Sequence, residues 1–125
     1  MAQLGRQIFF DRALSSSGQL SCASCHSPAH AYGPPNDLAV MNGGPALKRQ
    51  GTRAVPSLMY LERQPPFSIG PDAGENEGPL ATPAANAVPQ GGLFWDGRVN
   101  TLQSQALEPL LNPAEMDGLR IGAVG

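Results

Sequence analysis

Apolar residues in this chain come in short bursts separated by long polar or irregular stretches. Leu4, Ile8 and Phe9 fall at i, i+4 and i+5, a spacing that predicts a short amphipathic helix near the N-terminus. Residues 15 to 21, Ser-Ser-Ser-Gly-Gln-Leu-Ser, interrupt it and predict a turn whose last serine, Ser21, can N-cap a helical turn from Cys22 to His26. From Ser27 to Thr52 no period is visible, and Pro28, Pro34-Pro35, Gly43-Gly44-Pro45 and Gly51 punctuate what reads as a wrapping loop with a brief helical turn. Pro56 to Leu61 is a short apolar run, and residues 64 to 92, dominated by Pro, Gly, Ala and Asn, predict a long surface insertion. Helical spacing returns at Thr101 to Leu111, where Leu102, Ala106 and Leu110 share a face with Leu107 half a turn away. Asn112-Pro113-Ala114-Glu115 then predicts a second helix start, with Asn112 as N-cap, Pro113 at the first helical position and Glu115 at the third. The chain has no internal repeat.

Composition sharpens this picture. The chain of 125 residues, within the length of one small domain, holds 15 glycines and 13 prolines, and only 14% of it is charged against a usual share of about 25%. With four Phe, two Tyr and one Trp, a core made of side chains alone is thin for so much irregular backbone. The net charge of −2 provides no basic stripe for nucleic acid or an anionic membrane, and no apolar run reaches the length of a membrane span.

The chemistry lies in Cys22-Ala23-Ser24-Cys25-His26, which contains both cysteines and one of the two histidines. A Cys-x-x-Cys-His run is the attachment motif of c-type haem: two thiols on one helical turn reach the two vinyl groups of one haem edge, and the adjacent histidine becomes the proximal iron ligand. A buried haem would also supply the apolar mass that the side chains lack. Structural zinc would have to draw on Cys22, Cys25, His26 and His30, bunched within nine residues. A thioredoxin-like pair needs alternating strands and helices that the pattern does not offer, and a structural disulfide is the third alternative. Haem c is attached outside the bacterial cytoplasm, so a periplasmic location is expected. The start, Met1-Ala2-Gln3-Leu4, lacks signal-peptide character, which implies a leader already removed; the end at Arg120 to Gly125 reads as a cut.

Several stretches together resemble the N-terminal haem domain of the bacterial di-haem cytochrome c peroxidase family, which includes the MauG-type enzymes. They are Leu-Gly-Arg-Gln-Ile-Phe-Phe-Asp at 4 to 11, the run from Leu14 to His26, Arg-Ala-Val-Pro-Ser-Leu at 53 to 58, Phe-Trp-Asp-Gly-Arg at 94 to 98, and the run from Gln105 to Met116. The resemblance implies a mostly α, loop-rich cytochrome c-type domain wrapped around one covalent haem held by Cys22, Cys25 and His26. It implies a distal pocket of Gln105, Pro109 and Glu115, and Trp95 between this haem and a second one. Hydrogen peroxide would be the substrate, with Glu115 moving its proton, Gln105 orienting it, and electrons arriving from a second haem or a donor protein. A MauG-like variant would oxidise a residue on a partner protein instead.

Three departures from the family pattern stand out. Members that need reductive activation carry a distal histidine in the loop after the haem motif, whereas this chain reads Met41-Asn42-Gly43-Gly44-Pro45-Ala46 there and offers only His30, close to His26. Ala54 stands where an asparagine usually follows the arginine equivalent to Arg53, which counts against an interdomain calcium site. The second Cys-x-x-Cys-His domain is missing from this sequence.

Each residue also has a plainer role open to it. Glu115 can be a capping glutamate bonded back to Asn112, Trp95 can be the largest core residue, and Arg98 can pair with Asp96 or with a haem propionate. Met41, Met59 and Met116 are candidate sixth ligands of a mono-haem electron carrier, the alternative function, although methionine more often fills gaps in packing.

Overall fold

In a computed structural model the chain is described over residues 1–71 and 87–118. It divides into two compact units, Met1–Met59 with Ala106–Gly125, and Tyr60–Gln105. Regular structure is sparse. Among the described residues there are helices α1 (Ala2–Phe10), α2 (Cys22–Cys25) and α3 (Leu102–Leu111), and strands β1 (Asn42–Gly43), β2 (Arg49–Gln50), β3 (Ser68–Pro71) and β4 (Ala87–Gln90). Single 3-10 turns lie at Arg12–Leu14, Pro28–His30 and Leu61–Arg63. The mostly α expectation is therefore overturned: short helices share the chain with two antiparallel ribbons and a majority of turns. The composition explains it, because each proline lacks the N–H that propagates a helix, and Gly18, Gly44, Gly91, Gly92 and Gly97 adopt positive φ.

In the first unit, α1 forms where the apolar spacing predicts, and its end is marked by Asp11, whose Oδ1 accepts the Ala13 N–H at 2.9 Å to begin the next turn. Ser15 is buried and closes the loop that follows. Its Oγ donates to Arg12 O at 3.0 Å and accepts the Leu20 N–H at 3.2 Å. The loop delivers Ser21 to its capping role, with Ser24 Oγ accepting the Ser21 N–H at 2.9 Å. In β1–β2 the register is Asn42 with Gln50 and Gly43 with Arg49.

The expected helix start at Asn112 does not form. The segment is a closed turn, in which Asn112 O accepts the N–H groups of both Glu115 and Asp117 at 3.0 Å and Asp117 takes φ 50°. Two bonds converging on one carbonyl turn the chain back on itself, so no helical ladder forms over residues 113–117.

The second unit contains β3 paired with β4 from Ser68 opposite Gln90 to Pro71 opposite Ala87. Part of the stretch expected as a patternless insertion is thus a ribbon; residues 72 to 86 of it, and the supposed cut end at 120 to 125, lie outside the described residues. Gly91 and Gly92, both at positive φ, follow β4, and a Cβ on Gly91 would meet Pro65 O at 2.6 Å. Leu93 then bridges Val99 around the loop that carries Trp95.

Burial is scarce throughout. Among the described residues the buried hydrophobics are Leu93 and Met116, and no large side chain is fully enclosed. Leu4, Ile8 and Phe10 along α1 all stand exposed.

Candidate haem site

The site begins with α2, a single turn of helix that sets Cys22 and Cys25 three residues apart with both thiols unbridged. The disulfide alternative is therefore not what the fold adopts. Burial raises the pKa of Cys22, and it raises that of Cys25 in concert with the charges of Glu115 and then Cys22. Both side chains are therefore neutral thiols at neutral pH. Among the described residues no three His, Cys, Asp or Glu side chains converge as a metal site, and His30 turns its Nδ1 to Ser27 Oγ at 3.0 Å. The four-ligand zinc arrangement is not assembled.

His26 ends the helix. Its Nδ1 lies 2.9 Å from the carbonyl oxygen of Tyr32, and a carbonyl can only accept, so Nδ1 carries the ring proton. Desolvation lowers the pKa of the ring, outweighing the carbonyls of Tyr32 and Pro56, which act to raise it. His26 is therefore neutral, with its lone pair on Nε2, the state and tautomer in which histidine binds iron. This is the fit that a haem requires: paired thiols on one helical turn, and next to them an imidazole whose distal nitrogen is prepared as a ligand.

The Tyr32 carbonyl is aimed by a strained turn. Ala31 and Tyr32 take φ of 51° and 58°, a left-handed pair costing about 1 kcal/mol or more per residue. Cross-bonds hold it: Ser27 N–H donates to Gly33 O at 2.8 Å, Tyr32 N–H to Ser27 O at 2.9 Å, and Ser57 Oγ to Ala31 O at 2.5 Å. Phe9 of α1 meets the Tyr32 ring edge-on at 5.7 Å between centroids. Tyr32 and Ser57 were not singled out from sequence. Ser57 falls inside the family-like stretch at 53 to 58, whereas a backbone carbonyl leaves no mark on residue identity.

Glu115 sits on the closed turn that follows α3, and its charge is felt by the Cys25 thiol. Asn112 Nδ2 donates to Glu115 Oε1 at 2.8 Å, and Asn112 Oδ1 accepts the Ala114 N–H at 2.9 Å. The same turn is tied to the segment leading into the haem motif, where Ser16 N–H donates to Met116 O at 2.9 Å and Ser16 Oγ to Asp117 Oδ2 at 3.3 Å. Met116 itself is buried among its neighbours, and Met59 is exposed. Pro109 lies inside α3, where its missing N–H leaves the Gln105 carbonyl without the usual helical donor. Gln105 and Pro109 are both half-buried.

In the second unit Trp95 is 65% exposed, so it is not a core residue of that unit. Its loop is braced beside it: Phe94 takes φ 64°, the Arg98 guanidinium lies 3.7 Å above the Phe94 ring, and Arg98 Nη1 pairs with Asp96 Oδ1 at 2.9 Å. Arg98 thus has the local partner foreseen for it.

Comparison with known proteins agrees with this geometry. Residues 1–124 match the family described as di-haem cytochrome c peroxidase. The chain is 39% identical over 120 residues to the methylamine utilization protein MauG of Paracoccus denitrificans, covering 93% of this chain and 27% of that protein. It is 33% identical over 117 residues to the cytochrome c551 peroxidase of Nitrosomonas europaea, covering 93% of this chain and 26% of that one. The crystal structure of the diheme peroxidase BthA from Burkholderia thailandensis superimposes with a TM-score of 0.71 at 35% identity, covering 99% of this chain and 30% of that one. The chain thus spans about a quarter of the length of the curated relatives it matches. With paired thiols, the adjacent histidine and the overall match in agreement, the chain belongs to the di-haem cytochrome c peroxidase family.

Proposed function

We propose that this chain is the peroxidatic haem domain of a periplasmic oxidoreductase that reduces hydrogen peroxide. Cys22 and Cys25 would hold one haem c through thioether bonds, and His26 Nε2 would bind its iron. When bound, the haem supplies a redox-active iron at which peroxide can be reduced. The observation that carries the reading is the turn of Glu115, bonded through Ser16 to the segment entering the haem motif, with the Glu115 charge acting on Cys25. A carboxylate held there can take the proton from one peroxide oxygen and return it to the departing one. Gln105 orients the substrate, Pro109 shapes the pocket wall, and Trp95 passes electrons from a second haem or a donor protein.

A mono-haem carrier would need Met41, Met59 or Met116 at the iron; Met59 is exposed, Met41 half-buried and Met116 buried, and the spin state of the ferric haem decides between the two readings. A second reading, oxidation of a residue on a partner protein, is favoured by the 39% identity to MauG. Both readings share the same peroxide chemistry at Glu115 and differ in where the electrons come from.

The test is electron paramagnetic resonance of the ferric, haem-loaded protein together with its reaction with peroxide. A high-spin component and a reaction that needs no prior half-reduction are expected, because the 41–46 loop offers no histidine to close the distal side. A wholly low-spin spectrum with His30 or a methionine as sixth ligand would overturn the proposal.

A further inference from the structure

The turn that carries Glu115 is gripped from a second side by the β1–β2 ribbon. Gly44 N–H donates to Glu115 O at 2.7 Å, and Arg49 Nη1 donates to Pro113 O at 3.2 Å. Between these bonds Gly43, which pairs with Arg49 across the ribbon, is buried directly against the turn. A Cβ on Gly43 would meet Ala114 O, Glu115 O at 2.6 Å and Glu115 Cα at 2.8 Å. All three are backbone atoms, so no flexible side chain can give way, and any residue larger than glycine must displace Glu115 itself. Gly44 is constrained too, with φ +74° and with Pro113 O only 2.8 Å from where a Cβ would stand. This ribbon occupies the stretch where histidine is absent, so its residues are available for a different task.

We propose that the β1–β2 ribbon is a positioning clamp for Glu115, in which Gly43 fixes how closely the turn approaches and Arg49 fixes its tilt through the Pro113 carbonyl. The inference rests on Glu115 being the proton-transferring group. It adds that proton transfer depends on where the ribbon sets the backbone of Glu115, and not on its side chain alone. Proton transfer is sharply distance-dependent, and a misplacement of about 1 Å can cost up to about 10²-fold in rate. Asn112 holds the Glu115 side chain from within the turn, whereas the ribbon holds the backbone from outside, so the two restraints are complementary.

The experiment compares Gly43→Ala, Arg49→Met, Arg49→Lys and Glu115→Gln in the haem-loaded protein, reading the peroxide reaction rate by stopped flow and amide hydrogen exchange across residues 112–117. Gly43→Ala and Arg49→Met should retain haem, speed exchange in that segment and slow the peroxide reaction by about 10-fold or more. Arg49→Lys, which can still donate to Pro113 O, should recover most of both. Adding Gly43→Ala to Glu115→Gln should cost little more than Glu115→Gln alone, because a misplaced group that no longer transfers a proton has nothing left to lose. If Glu115→Gln reacts normally, the role of Glu115 falls. If Glu115→Gln is slow while Arg49→Met leaves both exchange and rate unchanged, the clamp falls and Glu115 stands. Should Gly43→Ala fail to fold, the Arg49 pair decides alone.

Discussion

Asn112 Nδ2 donates to Glu115 Oε1 at 2.8 Å, so the residue that closes the turn also holds the carboxylate. The capping role and the catalytic role weighed for Glu115 are therefore not exclusive. Glutamine at 115 can still accept from Asn112 and preserves the turn, but it cannot shuttle a proton. Glu115→Gln is expected to keep haem and melting temperature while slowing the peroxide reaction by about 10² or more. Asn112→Ala removes both side-chain bonds, and should cost about 1 kcal/mol of stability with a smaller loss of rate. Thermal melting and stopped-flow kinetics on the two variants separate these effects, and a destabilised Glu115→Gln with normal kinetics would reduce the residue to a structural bond.

Covalent attachment is the second expectation. With Cys22 and Cys25 both unbridged thiols on one turn, denatured protein should keep its haem on a gel and give the reduced pyridine spectrum of a c-type haem. Haem that extracts into acidified acetone would contradict it. Single Cys→Ala variants should retain haem by one bond, and the double variant should release it.

How much of this was legible in the sequence depends on the range of the interactions involved. The helices α1 and α3 follow from local apolar spacing, and the start of α2 follows from Ser21 and Ser24 three residues apart, so nearest neighbours specify them. The haem motif is likewise written in five consecutive residues. The turn at Asn112 carries a helix-start signature, yet the second bond to the Asn112 carbonyl comes from Asp117 in a left-handed conformation that the signature does not encode. The ribbon β1–β2 has two residues per strand, too few to show alternation, and its partner is the distant turn at 113–115. The mostly α expectation failed for the same reason: glycine and proline mark where helices stop without saying which distant backbone groups meet there.

The fold should depend on its haem. Leu93 and Met116 are the buried hydrophobics among the described residues, and the exposed Leu4, Ile8 and Phe10 on α1 have no side-chain core to cover them. With so little apolar surface buried among the described residues, their side chains offset only a small part of an ordering cost of about 1–2 kcal/mol per residue. A Cys22→Ala/Cys25→Ala double variant freed of haem is expected to lose its near-ultraviolet circular dichroism and cooperative melting, and to bind a hydrophobic dye. A sharp thermal transition in that haem-free variant would show that the side chains suffice.

The last expectation concerns Trp95. The indole is 65% exposed, and the loop that carries it is braced by Arg98, stacked on Phe94 and paired to Asp96. With about two thirds of its surface in solvent, Trp95 buries little area within its own unit. Phenylalanine keeps most of the ring volume, and Trp95→Phe should change stability by no more than about 0.5 kcal/mol, as expected of an exposed site. If Trp95 passes electrons from a second haem, the same substitution in a two-haem protein that includes this chain should leave the first reaction with peroxide intact, because that step is local to Glu115. Return of electrons to the oxidised site should then become slow, and turnover with a reductant should fall with it. Single-turnover and steady-state measurements on Trp95→Phe separate the two steps, and normal steady-state turnover would remove Trp95 from the electron path.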